Sequence, residues 1–293
     1  MVADRVYTET AQRARAALAG VQPAPGVAKP DPILLADKVK KNFGGVTAVD
    51  VDHIEVQRGS ITALIGPNGA GKTTLFNLLT GFDTPDTGEW RFDGRSLAKV
   101  VAHKTASMGM VRTFQLTKSL TKMSVIENMK LGATHQVGER WWNGLFPFRW
   151  KAQEKLIEQR ADQLLQRFKL DHMRNEYAGT LSGGQRKLLE MSRALMTNPR
   201  LVMLDEPMAG VNPALKQSLN EHIRGLRDDG MTVLFVEHDM DMVHDVSDWV
   251  IVMAEGRIIA EGTPEAIAAN PAVIEAYLGA HQGKSLLGEE TPS

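Results

Sequence analysis

Gly66-Pro67-Asn68-Gly69-Ala70-Gly71-Lys72-Thr73 sets glycines ahead of a lysine and a hydroxyl in the spacing G-x-x-x-x-G-K-[ST]. Glycines let a backbone curl so that successive N–H groups face one anion. A helix beginning at the end of such a turn adds the partial positive charge of its N-terminus. Lys72 can then reach the outer phosphates of a nucleotide, and the Thr73 hydroxyl can take Mg²⁺. A plain turn between strand and helix would need neither the lysine nor the hydroxyl.

Further groups with chemistry lie downstream. Asp205 and Glu206 stand together after an apolar run; Asp205 suits Mg²⁺ or its water shell, and Glu206 could polarise an attacking water. His238 lies in Glu237-His238-Asp239, after a second apolar run. Leu181-Ser182-Gly183-Gly184-Gln185 precedes a long helical pattern, and Gln115 follows Val111-Arg112-Thr113-Phe114.

These groups need elements that bring them to one edge. Residues 61–65 read as a buried strand and residues 74–79 as the helix after it. Residues 201–204 and 231–236 are continuous apolar runs, the pattern of parallel strands buried on both faces. Such strands deliver their functional groups at their C-terminal ends, where α/β sheets bind ligands. Ser182 with Gln185, and Ser124 with Glu127, are also capping boxes that would open helices whatever the function. Asn212-Pro213 is an N-cap followed by proline at the first helical position.

In order and spacing the set resembles the ATP-binding cassette (ABC) ATPases, over about residues 33–279. The resemblance implies an α/β fold of the P-loop NTPase type: a mixed, largely parallel core sheet, an antiparallel β region and a helical subdomain over about residues 116–197. It makes residues Gly66 to Thr73, with Thr74, the Walker A loop and Asp205 the Walker B aspartate. Glu206 becomes the catalytic base, His238 the switch histidine, Gln115 the Q-loop glutamine that also touches the metal, and Leu181 to Gln185 the signature. Phe43 falls where an aromatic stacks on adenine, and Asn212 stands where many members carry an aspartate.

Bulk properties agree. A chain of 293 residues is long enough for a sizeable core. Its 34 basic and 35 acidic residues nearly cancel, which points away from nucleic acid. There is no cysteine, hence no disulfide or thiolate chemistry. No apolar run reaches the length of a bilayer span, so a membrane role has to come through partners.

Residues 1–32 read differently from the rest. A short helix over residues 8–18 and a Pro/Ala/Gly linker make this a flexible extension outside the cassette. Residues 280–293 read as a polar tail. Short strands are expected from Ile33 to Trp90. A helix over residues 151–170 is expected to bury Leu156, Ile157, Ala161, Leu164, Leu165 and Phe168 on one face, and Leu215, Leu219, Ile223 and Leu226 form a later stripe. The aromatic run of residues 140–150 suits a contact with a partner or with lipid headgroups, or local packing of a turn.

The resemblance further implies a head-to-tail dimer with the same or a related ATPase, ATP and Mg²⁺ held between the signature of one subunit and the Walker loops of the other. Within the family the chain is most similar to ATP-binding subunits of branched-chain amino-acid importers, through Phe43-Gly44-Gly45-Val46-Thr47-Ala48-Val49, Arg112-Thr113-Phe114-Gln115 and the ending from Asn270 to Gly279. The expected partners are therefore membrane permease subunits at the cytoplasmic face and, indirectly, a solute-binding protein. Urea importers, lipopolysaccharide exporters and a nucleotide-dependent regulatory module that does not turn over remain the alternatives.

Overall fold

The structure is a computed structural model and describes residues 2–97, 100–113, 118–133 and 147–285. In chain order its strands are β1 (Pro32–Phe43), β2 (Val46–Gln57), β3 (Ile61–Ile65), β4 (Thr87–Phe92), β5 (Arg95–Ser96), β6 (Met110–Arg112), β7 (Leu201–Asp205), β8 (Thr232–Val236), β9 (Trp249–Ala254) and β10 (Arg257–Gly262). The α-helices are α1 (Val2–Ala19), α2 (Lys72–Leu79), α3 (Ala102–Ser107), α4 (Val125–Leu131), α5 (Pro147–Arg167), α6 (Gly183–Ala194), α7 (Pro213–Asp228), α8 (Met240–Val246), α9 (Pro264–Ala268) and α10 (Pro271–Ser285).

Among the described residues the strands form two sheets, one in the order β10-β9-β3-β8-β7-β6 and one in the order β2-β1-β4-β5. Strands β9, β3, β8, β7 and β6 pair in parallel and β10 joins antiparallel at one edge. The second sheet is antiparallel throughout. This is the mixed core and antiparallel region expected from the resemblance.

The apolar runs explain the layering. Because side chains alternate along a strand, Ile61, Ala63 and Ile65 of β3 join one core with α5, α6 and α7, while Leu64 joins a second core with Phe76, Trp90 and Phe92. The same division separates Val202 and Leu204 from Leu201 and Met203, and Val233 and Phe235 from Leu234 and Val236. A sheet buried on both faces holds its strand ends in place, and every catalytic candidate downstream of residue 200 sits on such an end.

Three expectations change. β1 and β2 are twelve residues each, a long hairpin turning at Gly44-Gly45, not short strands. Ile157, Ala161, Leu164 and Leu165 of α5, with Phe168 just beyond it, face the core, but Leu156 is 65% exposed because it lies a third of a turn off that stripe.

The third concerns residues 1–32, which were expected to extend freely. Ala11, Ala14 and Leu18 are buried on one face of α1, and α1 lies against α7. Arg15 donates to Asp248 at 2.8 Å. Beyond the helix, Lys29 and Glu261 form an ion pair whose side chains are 1% and 0% exposed. Gly26 N–H donates to the same carboxylate and Lys29 N–H to Glu55. The segment is strapped across both sheets, because Glu55 belongs to β2 and Glu261 to β10. The aromatic run is described only from Pro147, as the backbone opening α5; the rest of it lies outside the described residues, as do residues 286–293 of the tail.

Candidate functional site

Strand β3 ends at Ile65 and the chain turns through residues 66–71 into α2. Two of the glycines are required. A Cβ on Gly66 would lie 2.0 Å from the Met253 carbonyl oxygen, and one on Gly71 would lie 2.2 Å from that of Ala48. Gly71 also has φ +94°, a left-handed value that suits glycine. Sequence and fold agree here: the turn is compressed against β9 and β2, and only backbone fits.

Lys72 is buried and its Nζ donates to the carbonyls of Gly66 and Pro67 at 2.8 and 2.9 Å. Burial pushes the Lys72 pKa down, and the negative charge of Glu206 opposes that. A partly desolvated cation of this kind gains most from an added anion. Thr73 is exposed at the first turn of α2. A cleft of about 250 Å³ opens here, bounded by Ala48, by residues 68–74, and by Glu206 and His238 from the ends of β7 and β8.

Glu206 follows β7 directly. Its φ of +46° is sparsely populated for a side-chain-bearing residue, and its N–H donates to Val236 O at 3.0 Å. That strained residue aims a carboxylate at the cleft: His238 Nε2 lies 3.1 Å from Glu206 Oε1. Glu237 holds the backbone on either side of the pair. It is buried, and its carboxylate accepts from the N–H groups of Met208, at 2.7 Å, and of His238. Sequence reasoning gave Glu237 no role; a charged residue directly after a fully buried strand was the available signal.

Asp205 is the last residue of β7. Its Oδ2 accepts from Arg112 at 2.5 Å, and the other arm of that guanidinium donates to Asn77 of α2 at 2.6 Å. Neither Arg112 nor Asn77 was singled out from the sequence. Among the described residues no three acidic or histidine side chains cluster as a metal site. One carboxylate, one threonine hydroxyl and nucleotide phosphates are, however, a donor set that suits Mg²⁺, which keeps several waters and takes few protein ligands. The compressed loop, its buried lysine and this oxygen set fit a Mg²⁺-nucleotide.

The remaining described candidates do not border the cleft. Ser182 is exposed and caps α6 in a reciprocal box with Gln185. Gly184 is buried where α6 meets α7, and a Cβ there would collide with the Leu215 side chain. Gly183 is exposed and Asn212 caps α7, as expected. Residues 182–185 do not border the cleft that holds Lys72. Phe43 is 51% exposed at the tip of β1, with Lys41 Nζ 5.2 Å from its ring centre, and Ala48 of the same hairpin borders the cleft. Gln115 lies outside the described residues.

Comparisons with known proteins point the same way. The profile of the ABC transporter family matches residues 49–209, and that of the branched-chain amino acid ATP-binding cassette transporters matches residues 257–282. A probable branched-chain amino acid transport ATP-binding protein, LivG, of Archaeoglobus fulgidus is 42% identical over 252 residues, covering 86% of this chain and 97% of that protein. The high-affinity branched-chain amino acid transport ATP-binding protein BraF of Pseudomonas aeruginosa is 41% identical over 250 residues, 85% and 98% of the two chains. Among solved structures, a nucleotide-free ATP-binding cassette from an ABC transporter superposes with a TM-score of 0.74 at 39% identity, covering 84% of this chain and 98% of that one. The ADP conformation of such a cassette does so at 0.74 and 38%, over 85% and 99%. The chain belongs to the ABC transporter family, as one of its ATP-hydrolysing cassettes.

Proposed function

We propose that this chain binds ATP with Mg²⁺ and energises the import of branched-chain amino acids or similar small solutes through membrane permease subunits. The observation that supports it most is the cleft in which Lys72, Glu206 and His238 converge, on a chain whose relatives carry branched-chain amino acid transport in their names. Among the described residues no helix is long and apolar enough to cross a membrane, and in this reading the solute passes through the permease subunits. The chain then works at the cytoplasmic face, with a solute-binding protein acting through the permease.

In this reading the N–H groups of residues 69–74, with Lys72, hold the β- and γ-phosphates, and Phe43 stacks on the base. Thr73, Asp205 and Gln115 hold Mg²⁺, which neutralises charge on the phosphates when bound. Glu206 accepts the proton of the attacking water, and His238, held at Glu206, stabilises charge developing on the phosphoryl oxygens. Ser182 to Gln185 do not border the cleft of their own chain, and in this reading they serve the nucleotide of a second ATPase subunit, placing the N-terminus of α6 against its γ-phosphate. ATP contacts both subunits only when they close, so binding favours closure and hydrolysis releases it.

Deleting the gene and measuring uptake of leucine, isoleucine and valine tests the assignment. Loss of uptake, restored by the wild-type gene and not by Glu206→Gln, is the expected result. Unchanged uptake of all three, with a permease for an unrelated solute co-purifying, would remove the solute and leave the ATPase.

A further inference from the structure

Arg112 is the last residue of β6, the edge strand that pairs with β7, and the backbone registers it opposite Met203. Its side chain is only 7% exposed. It reaches Asp205 Oδ2 at the end of β7 at 2.5 Å and Asn77 Oδ1 of α2 at 2.6 Å, with its guanidinium carbon 5.6 Å from the Phe76 ring centre and 6.0 Å from that of Phe82. An arginine fork held by two acceptors and two aromatic faces has little rotamer freedom. The carboxylate it holds is the one that the proposed function gives to the metal. A second cation bonded to a metal-side carboxylate both fixes its orientation and cancels part of its charge, and in a half-buried site the second effect is large.

We propose that Arg112 is a resident counter-ion of Asp205 that sets how tightly the site holds its divalent ion: metal and guanidinium share one carboxylate, and the arginine weakens the metal's hold. Without the arginine, a fully anionic Asp205 would hold the ion more tightly. Asn77 acts through Arg112, steadying the fork from α2. The proposal rests on the metal reading of Asp205.

Calorimetry of the full chain with ATP, in EDTA and then across a Mg²⁺ titration, separates the two. In the wild type Mg²⁺ should tighten ATP binding. Arg112→Gln keeps an amide that can donate to Asp205 or Asn77 and removes the charge. It should reach half of that tightening at a Mg²⁺ concentration lower by on the order of tenfold. Arg112→Lys keeps the charge and should stay within about twofold of wild type. Side-chain ¹⁵N NMR answers without substitution: the Arg112 guanidinium signals should move when Mg²⁺ is added to the ATP-bound wild type. A folded Arg112→Gln chain that needs as much Mg²⁺ as the wild type, or more, overturns the proposal, as do guanidinium signals that ignore the ion. If the wild type gains nothing from Mg²⁺, the metal reading of Asp205 falls and takes this proposal with it. A Mg²⁺-dependent wild type beside an unchanged Gln variant removes only the role of Arg112.

Discussion

Replacing Lys29 with methionine should destabilise the cassette even though Lys29 does not border the nucleotide cleft. The substitution keeps length and apolar bulk but leaves Glu261 buried, with Trp249 Nε1, at 3.1 Å, and Gly26 N–H, at 2.9 Å, as its remaining donors among the described residues. Removing one partner of a buried ion pair costs about 3–5 kcal/mol. Loss of the ammonium over the Trp249 ring, 5.3 Å from its centre, adds to that. For a chain of this size roughly 2 °C of melting temperature accompanies each kcal/mol, so a drop of roughly 6–10 °C is expected. The pH dependence carries a sign. Burial raises the Glu261 pKa, and Lys29 is the main influence holding it down. Without Lys29 the folded value rises further above the unfolded one. Stability from such a group is present below the unfolded pKa and is lost as pH rises through the folded pKa. The gap between variant and wild type should therefore be widest at about pH 8 and narrow towards about pH 5. The double variant Lys29→Met with Glu261→Met should recover most of the loss, since apolar replacement of a whole buried pair is often neutral. Thermal melts followed by circular dichroism across this range decide it. A Lys29→Met chain that melts within about 2 °C of wild type at pH 8, or loses more at low pH, refutes the strap as a stability element.

Other substitutions test the site. Lys72→Ala should weaken ATP binding itself, by about tenfold or more in calorimetry, because a charge-assisted contact of about 1.5–3 kcal/mol is lost. Gly71→Ala should abolish nucleotide binding while α2 remains formed, since its Cβ would lie 2.2 Å from a carbonyl oxygen; unchanged affinity would show that the loop is looser than described. Ser182→Arg should leave ATP bound to the monomer and prevent ATP-driven dimers in light scattering. Glu190, buried on α6, has its pKa pushed up to about 7 by burial, against Lys187 and Arg193. Glu190→Gln should thus raise the melting temperature at pH 8 and not at pH 5, by up to about 3 kcal/mol of stability, and equal shifts at both would contradict it.

Much of this was readable beforehand because its signals are local. A continuous apolar run ending in charge, as at Leu204-Asp205, means a strand buried on both faces whatever surrounds it. A serine three residues ahead of Glu127 or Gln185 opens a helix by its own hydrogen bonds. What stayed hidden depends on distant partners. Lys29 lies in a proline-rich stretch with the composition of a linker, and its meaning comes from Glu261, 232 positions away. Ala11 and Ala14 bury too little surface to mark α1 as packed. Leu156 and Ile157 are equally apolar, and only the angle between them on α5 decides which is inside. Arg112 looked like part of a family segment until β6 was placed beside β7.

The most direct test of the site is the rate of ATP hydrolysis by Glu206→Gln in a membrane assembly whose wild-type form is active, with ATP binding measured in parallel. Gln keeps the shape of Glu206 and a donor or acceptor for His238 but cannot take a proton from water. Turnover should fall by about 10²–10⁴, the usual contribution of a positioned base, while ATP affinity is retained and the ATP-bound dimer accumulates. Hydrolysis at the wild-type rate, with nucleotide binding intact, would show that Glu206 is not the base and that the convergence of Lys72, Glu206 and His238 on one cleft has been misread.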